Sequence, residues 1–210
     1  MVSTDINSYV LGILWSLGRY SEDVGNKHFF LRHNREYFLQ IVKNEFDLKS
    51  NIHTVLHKNK TQYRLKVSGF DIVALELVGW QARNAEQRSY PNIQDGHRDF
   101  IRAYLEIHSA IDTITIQRKT GPRTGPRLRI YGNKYFLEQM TEVLATEVGA
   151  GVKRVQQATR LSEVSGILYY QSTNELQRIF EYVYSTPVSY FDREYYENYK
   201  YVLTRVGVIP

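Results

Sequence analysis

Along the first eighty residues the spacing of apolar positions changes period several times. The stretch "SYVLGILWSLG", Ser8 to Gly18, is apolar almost all the way round and predicts a buried helix. "HFFLRH" alternates and predicts a strand; the "SEDVGNK" before it is turn-rich and leaves little room for another. "NREYFLQIVKNEF" returns to helical spacing with Asn34 as its cap. "NIHTVLHKNKTQYRLKVSG" follows as a hairpin turning at Lys58 to Lys60, and "FDIVALELVGW" closes the unit.

The second half repeats this order more openly. "RDFIRAYLEIHSA" has Phe100, Ile101, Tyr104, Leu105 and Ile107 near helical spacing. "DTITIQRK" and "RLRIYG" alternate as strands, joined through "TGPRTGP", which the density of Gly and Pro predicts to be a turn. "NKYFLEQMTEVLATEVG" is a helix from its Asn cap to Gly149. "VKRVQQATR" and "GILYYQS" make a second hairpin, and "TNELQRIFEYVYS" a closing helix capped by Thr173 or Asn174. The fold class is α+β, two tandem αββαββα repeats with two antiparallel sheets. The expected division is 7–80 for one repeat, 81–97 for a polar linker, 98–186 for the other repeat and 187–210 for an extension. In that extension "DREYYENYKYVLTRVG" predicts one more helix, capped by Asp192, with its tyrosines packed on the body. Two copies point to a pseudo-symmetric pair within a monomer rather than an open solenoid.

Composition sharpens this picture in two places. The formal charge of +5 and the 17 tyrosines suit a polyanionic partner. The absence of cysteine excludes disulfides, thiolate metal sites and cysteine nucleophiles. The N-terminus shows no signal-peptide pattern, and the apolar run Val10 to Leu17 is too short to span a bilayer, so no membrane association and a cytoplasmic location are expected.

An αββαββα unit in duplicate, opening on "YVLGILWSLG" and on "FIRAYLEIHS", resembles the single-chain form of the LAGLIDADG homing endonuclease family. The strand, glycine and helix of "RLRIYGNKYFLEQMTEVLATEVG" add to the resemblance, which covers about Ser8 to Ser185. It implies that the two opening helices pack side by side on a pseudo-twofold axis. Small residues at matching positions, Gly12 and Gly18 in one copy and Ala103 and Ser109 in the other, let their backbones approach.

In active members of that family an acid precedes the last glycine of each helix, and the pair holds divalent metal between two scissile phosphates. The matching positions here are Leu17 and His108. Leucine ligates no metal, and a lone histidine is a poor substitute for a carboxylate toward Mg²⁺. Four displaced acids lie near: Glu22 and Asp23 after the first helix, and Glu106 and Asp112 around the second. Glu106 is two residues before His108, roughly 200° around the helix, and so faces elsewhere.

The resemblance also implies that the hairpins form a saddle on double-stranded DNA. The residues expected to meet it are Arg32, His57, Lys58, Lys60, Gln62, Arg64 and Lys66 in the first copy. In the second they are Gln117, Arg118, Lys119, Arg123, Arg127 and Arg129, with Lys153, Arg154, Gln156, Gln157 and Arg160 on the last hairpin. Arginine reads guanine bidentately, glutamine reads adenine, and lysine mostly meets phosphate. Four functions are compatible with this reading. The first is sequence recognition of duplex DNA without cleavage and without a cofactor. The others are a Mg-dependent endonuclease using displaced acids, an RNA-binding maturase, and an interaction protein that binds no nucleic acid.

Overall fold

A computed structural model describes residues 6–23, 26–67, 72–82, 85–159, 162–185 and 188–209. The chain runs α1 (Ser8–Leu17), β1 (Gly18–Asp23), β2 (Asn26–His33), α2 (Glu36–Glu45), β3 (Ile52–His57), β4 (Lys60–Val67) and α3 (Ile72–Leu77). It repeats as α4 (His97–His108), β5 (Ser109–Arg118), β6 (Gly121–Asn133), α5 (Lys134–Val148), β7 (Gln156–Thr159), β8 (Ser162–Tyr170) and α6 (Thr173–Tyr184), and ends in α7 (Arg193–Arg205). Each half builds a four-stranded antiparallel sheet, in the orders β1-β2-β4-β3 and β5-β6-β8-β7.

Helix α1 is started by Asn7, whose side-chain oxygen accepts from the Tyr9 and Val10 amides. Every residue from Tyr9 to Leu17 is buried, as a helix apolar on all sides requires. Its principal helical neighbour is α4. A β-carbon added at Gly12 would lie 2.7 Å from the Ala103 β-carbon and 2.8 Å from the Phe100 carbonyl oxygen, so the two backbones touch there. Ser8 meets Gly96 at one end and Ser16 meets His108 at the other, so the helices run parallel.

Several local expectations are corrected. "SEDVGNK" does not exclude a strand: β1 leaves α1 directly at Gly18 and ladders with β2 down to the pair Asp23–Asn26. Backbone pairing, with Tyr20 edge-on to Phe29 and Trp80, outweighs the polar side chains. "TGPRTGP" is also mostly strand. The turn is confined to Lys119 and Thr120, and β6 begins at Gly121. Pro122 and Pro126 fall on one parity of β6, outside the stretch that pairs with β8, and an edge tolerates a missing N–H. Asn34 does not cap α2, whose first turn follows Arg35 without a side-chain cap. The cap position of α6 is Ser172, one residue before the expected pair. Strand β7 starts only at Gln156, which leaves Lys153 and Arg154 in the preceding loop.

Other expectations hold in the structure. Lys58 and Asn59 adopt left-handed φ of 48° and 60°, the two-residue turn that suits the twist of β3 and β4. Asn133 caps α5 through the Tyr135 and Phe136 amides, and Gly149 ends it at φ 66°. Asp192 caps α7, and Tyr195 and Tyr199 of that helix are buried. The polar segment between the halves is packed rather than loose. Arg88 is buried, lies over the Trp15 ring and donates to the Trp15 carbonyl, while Tyr90 packs between Phe100 and Phe136.

Candidate nucleic-acid interface

The parallel helices bring Leu17 and His108 to the same end of the central pair, where β1 and β5 begin. Leu17 is buried. His108 Nε2 is 3.2 Å from the Ser16 carbonyl oxygen, and its ring packs on Tyr104. A nitrogen that donates to a carbonyl offers no lone pair to a metal. Gly18 and Ser109 stand at the C-cap positions of these helices. Gly18 makes room for the Phe29 ring, and Ser109 hydrogen-bonds the Tyr195 hydroxyl. Gly12 and Ala103 are the small pair that meets.

Two of the four displaced acids have other partners. Glu106 is walled in: the Tyr9 and Tyr184 hydroxyls and the Asp192 amide donate to its carboxylate. Burial is the largest influence and pushes its carboxyl up to about 7, against these donors and nearby Arg102. Arg102 is buried as well, bonding the Val183 and Tyr190 carbonyls and Asp99. Asp112 accepts Nε and Nη2 of Arg127, each at 2.9 Å, and Nη2 of Arg129 at 2.7 Å. The hydrogen bond from Arg127 and the charges of both guanidiniums hold its carboxyl below the usual range. A carboxylate engaged by two arginines is a poor ligand for Mg²⁺. The side chains of Glu22, Asp23 and Arg118, and the whole of Arg160, lie outside the described residues. Among the described residues no three His, Asp or Glu side chains cluster as a metal site. The described groups around the helix ends do not fit the divalent metal of a nuclease centre.

Strand register sorts the hairpin residues by face. Phe29, Leu31, Leu65 and Val67 are buried under the helices, so their neighbours in sequence point to the open face. The pairs Phe30–Lys66, Arg32–Arg64, His53–Arg64, Val55–Gln62 and His57–Lys60 all belong to that open face. Arg32, His57, Lys60, Gln62, Arg64 and Lys66 are thereby brought together, with Lys58 at the turn. Arg64 lies 4.4 Å over the Phe30 ring, and Arg32 Nε donates to Gln62. Strands β2, β3 and β4 contain no acidic residue. Arg19, opposite Phe30, and His53 join this face and were missed because β1 was not expected and β3 was read without its register.

In the second sheet Ile111, Leu128, Ile130 and Leu168 define the covered side. Asp112–Arg127, Ala110–Arg129 and Ile116–Arg123 lie on the open side, and Gln156 shares it through Ile167 and Tyr131. Gln117 is opposite Pro122 and Gln157 opposite Gly166, which puts both on the other face from Arg127. Lys153 turns to Glu175 at 2.8 Å and over the Tyr170 ring, away from the arginines. Lys119 and Arg154 remain exposed at a turn and a loop.

No family model matches the sequence, and no curated protein is similar to it by sequence. Solved structures are similar in fold. The LAGLIDADG homing endonuclease I-LtrWI bound to target DNA superposes with a TM-score of 0.63 at 12% identity, covering 94% of this chain and 89% of its own. Meganuclease I-SmaMI bound to uncleaveable DNA gives 0.66 at 9% identity over 98% and 94% of the two chains. LAGLIDADG meganuclease I-AabMI bound to uncleaved DNA gives 0.63 at 11% over 96% and 90%. At such identities the likeness speaks to architecture: the chain has the fold of the LAGLIDADG homing endonucleases, with both halves in one polypeptide.

Proposed function

We infer that this protein recognises double-stranded DNA sequence through the open faces of its two sheets and does not cut the strand. The observation that carries the reading is the gathering of Arg19, Arg32, Lys60, Arg64 and Lys66 on one sheet face, with Arg123, Arg127 and Arg129 on the other. A β-ribbon presenting arginine and glutamine suits the donor and acceptor pattern of the major groove. The neighbours in fold are described as bound to DNA, one of them to uncleaved target in the presence of calcium ions. Support for loss of cleavage comes from Leu17, from His108 bonded to Ser16, and from Asp112 held by two arginines. Repeats spanning 7–80 and 98–186, each covering one half-site, fit a monomer acting as a pseudo-dimer.

The test is selection of bound duplexes from a random library, followed by binding across a salt series and a plasmid nicking assay with Mg²⁺ or Mn²⁺. Expected are a two-half-site footprint, affinity that falls linearly with log salt, and no nicked product. Nicking at a defined site would replace this reading with that of an endonuclease. Preference for structured RNA over duplex DNA in competition would replace it with RNA binding.

A further inference from the structure

The two open faces are built differently, and the difference centres on Asp112. On the N-terminal sheet the cations have no carboxylate on strands β2 to β4 to organise them. On the C-terminal sheet Asp112 sits directly across from Arg127 and takes its Nε and Nη2 as a fork. The same carboxylate takes Nη2 of Arg129, two residues further along β6. The three side chains are partly buried, with exposures of 23% for Arg127, 29% for Arg129 and 35% for Asp112, so neither arginine is a loose surface charge.

A guanidinium has five N–H groups in a rigid plane. When its Nε–Nη2 edge is clamped by a carboxylate, the Nη1–Nη2 end edge is left with two parallel N–H groups. That edge matches guanine O6 and N7 in the major groove. Clamping also removes most of the rotamer freedom that an arginine would otherwise lose on binding. The charge balance points the same way. One carboxylate beside two guanidiniums leaves a net single positive charge, which weakens indiscriminate attraction to phosphate while keeping the directional donors.

We propose that Asp112 is a positioning residue for base readout, holding Arg127 and Arg129 so that the C-terminal sheet selects guanine in its half-site. The N-terminal sheet, whose strands β2, β3 and β4 carry cations and no acid, supplies mainly phosphate attraction. This rests on the DNA-binding reading above and adds to it a base, a half-site and the residue responsible.

The experiment uses the full chain and a duplex selected by it, with each base pair of both half-sites varied in turn. Wild type, Asp112→Asn, Arg127→Lys and the double variant are compared, with circular dichroism melts to establish that each is folded. For wild type, replacing the contacted guanine by adenine or by 7-deazaguanine is expected to weaken binding about 10-fold or more. Asp112→Asn should reduce that discrimination to about 2–3-fold at one or two adjacent positions of the C-terminal half-site. It should also steepen the salt dependence, because it releases positive charge. Arg127→Lys should lose discrimination at one of the same positions, and the double variant should lose no more there. A folded Asp112→Asn with an unchanged preference at every position would overturn the proposal, as would discrimination lost evenly over both half-sites. Failure of the wild-type chain to bind any duplex would overturn the DNA-binding reading itself, and this inference with it.

Discussion

Gly12→Ala tests the central interface most directly, because two opposing effects of known size meet at one atom. Alanine is favoured over glycine in a helix interior by about 1 kcal/mol. Against that, the new β-carbon would stand 2.7 Å from the Ala103 β-carbon and 2.8 Å from the Phe100 carbonyl oxygen. Both contacts belong to the rigid part of α4, so no side-chain rotation relieves them. The helices must separate by several tenths of an ångström, or a residue of α1 must leave its packing. Overpacking of this kind costs about 1–3 kcal/mol and at times more. The net expectation is a loss of up to about 2 kcal/mol. For a chain of this size that is a drop in Tm of up to about 8 °C. Urea unfolding with an unchanged m-value is the assay. Ala103→Gly alone should destabilise by leaving a gap, yet in the Gly12→Ala background it should cost less, because it relieves one of the two contacts. A Gly12→Ala protein as stable as wild type, with no coupling to Ala103, would refute the close approach of α1 and α4. Gly125→Ala is the internal control, since nothing lies near its added carbon and the change should be close to neutral.

Three other outcomes are expected. Glu106 has a folded pKa raised from 4.5 to about 7, so the folded state holds the extra proton and stability should fall as pH rises from about 4.5 through 7. Glu106→Gln should flatten that fall, which amounts to at most about 3 kcal/mol, in melts run from pH 5 to 8. Asp192→Ala removes both the cap of α7 and the ion pair with Arg35, and should cost about 1–2 kcal/mol. Faster proteolysis within α7 would report the same change, and an unaltered melt would contradict it. Arg64→Ala should weaken binding to all duplexes alike and lower the salt slope by about 1; a change in base preference instead would assign Arg64 a reading role.

How much was legible in the sequence differed by level. The repeat and the helix order could be read from periodicity, because apolar spacing is what packs each element against the next. In the first sheet the turn at Lys58 to Lys60 places the open-face cations of β4, while Arg19 and His53 stay hidden without β1 and the register of β3. In the second sheet the Gly and Pro density of "TGPRTGP" predicts a seven-residue turn. With the turn placed at Lys119–Thr120 instead, Asp112 falls opposite Arg127, while Gln117 moves to the other face. A single misplaced turn therefore hid the Asp112 clamp and misassigned a candidate reader. The burial of Arg88, Arg102 and Glu106 was out of reach for a different reason. Their partners are the Trp15 carbonyl, the Val183 and Tyr190 carbonyls, and the Tyr9 and Tyr184 hydroxyls, all distant in sequence.

The burial of α1 on every side has a consequence for how the protein is made. Its main partner, α4, starts at His97, whereas α1 starts at Ser8. At about 5–20 residues per second, a ribosome leaves α1 without that cover for roughly 5–18 s. During that interval an almost wholly apolar helix is part of a nascent chain whose own half cannot seal it. The N-terminal half is therefore not a unit that folds and waits, and what shields α1 before α4 emerges bears on yield before final stability does.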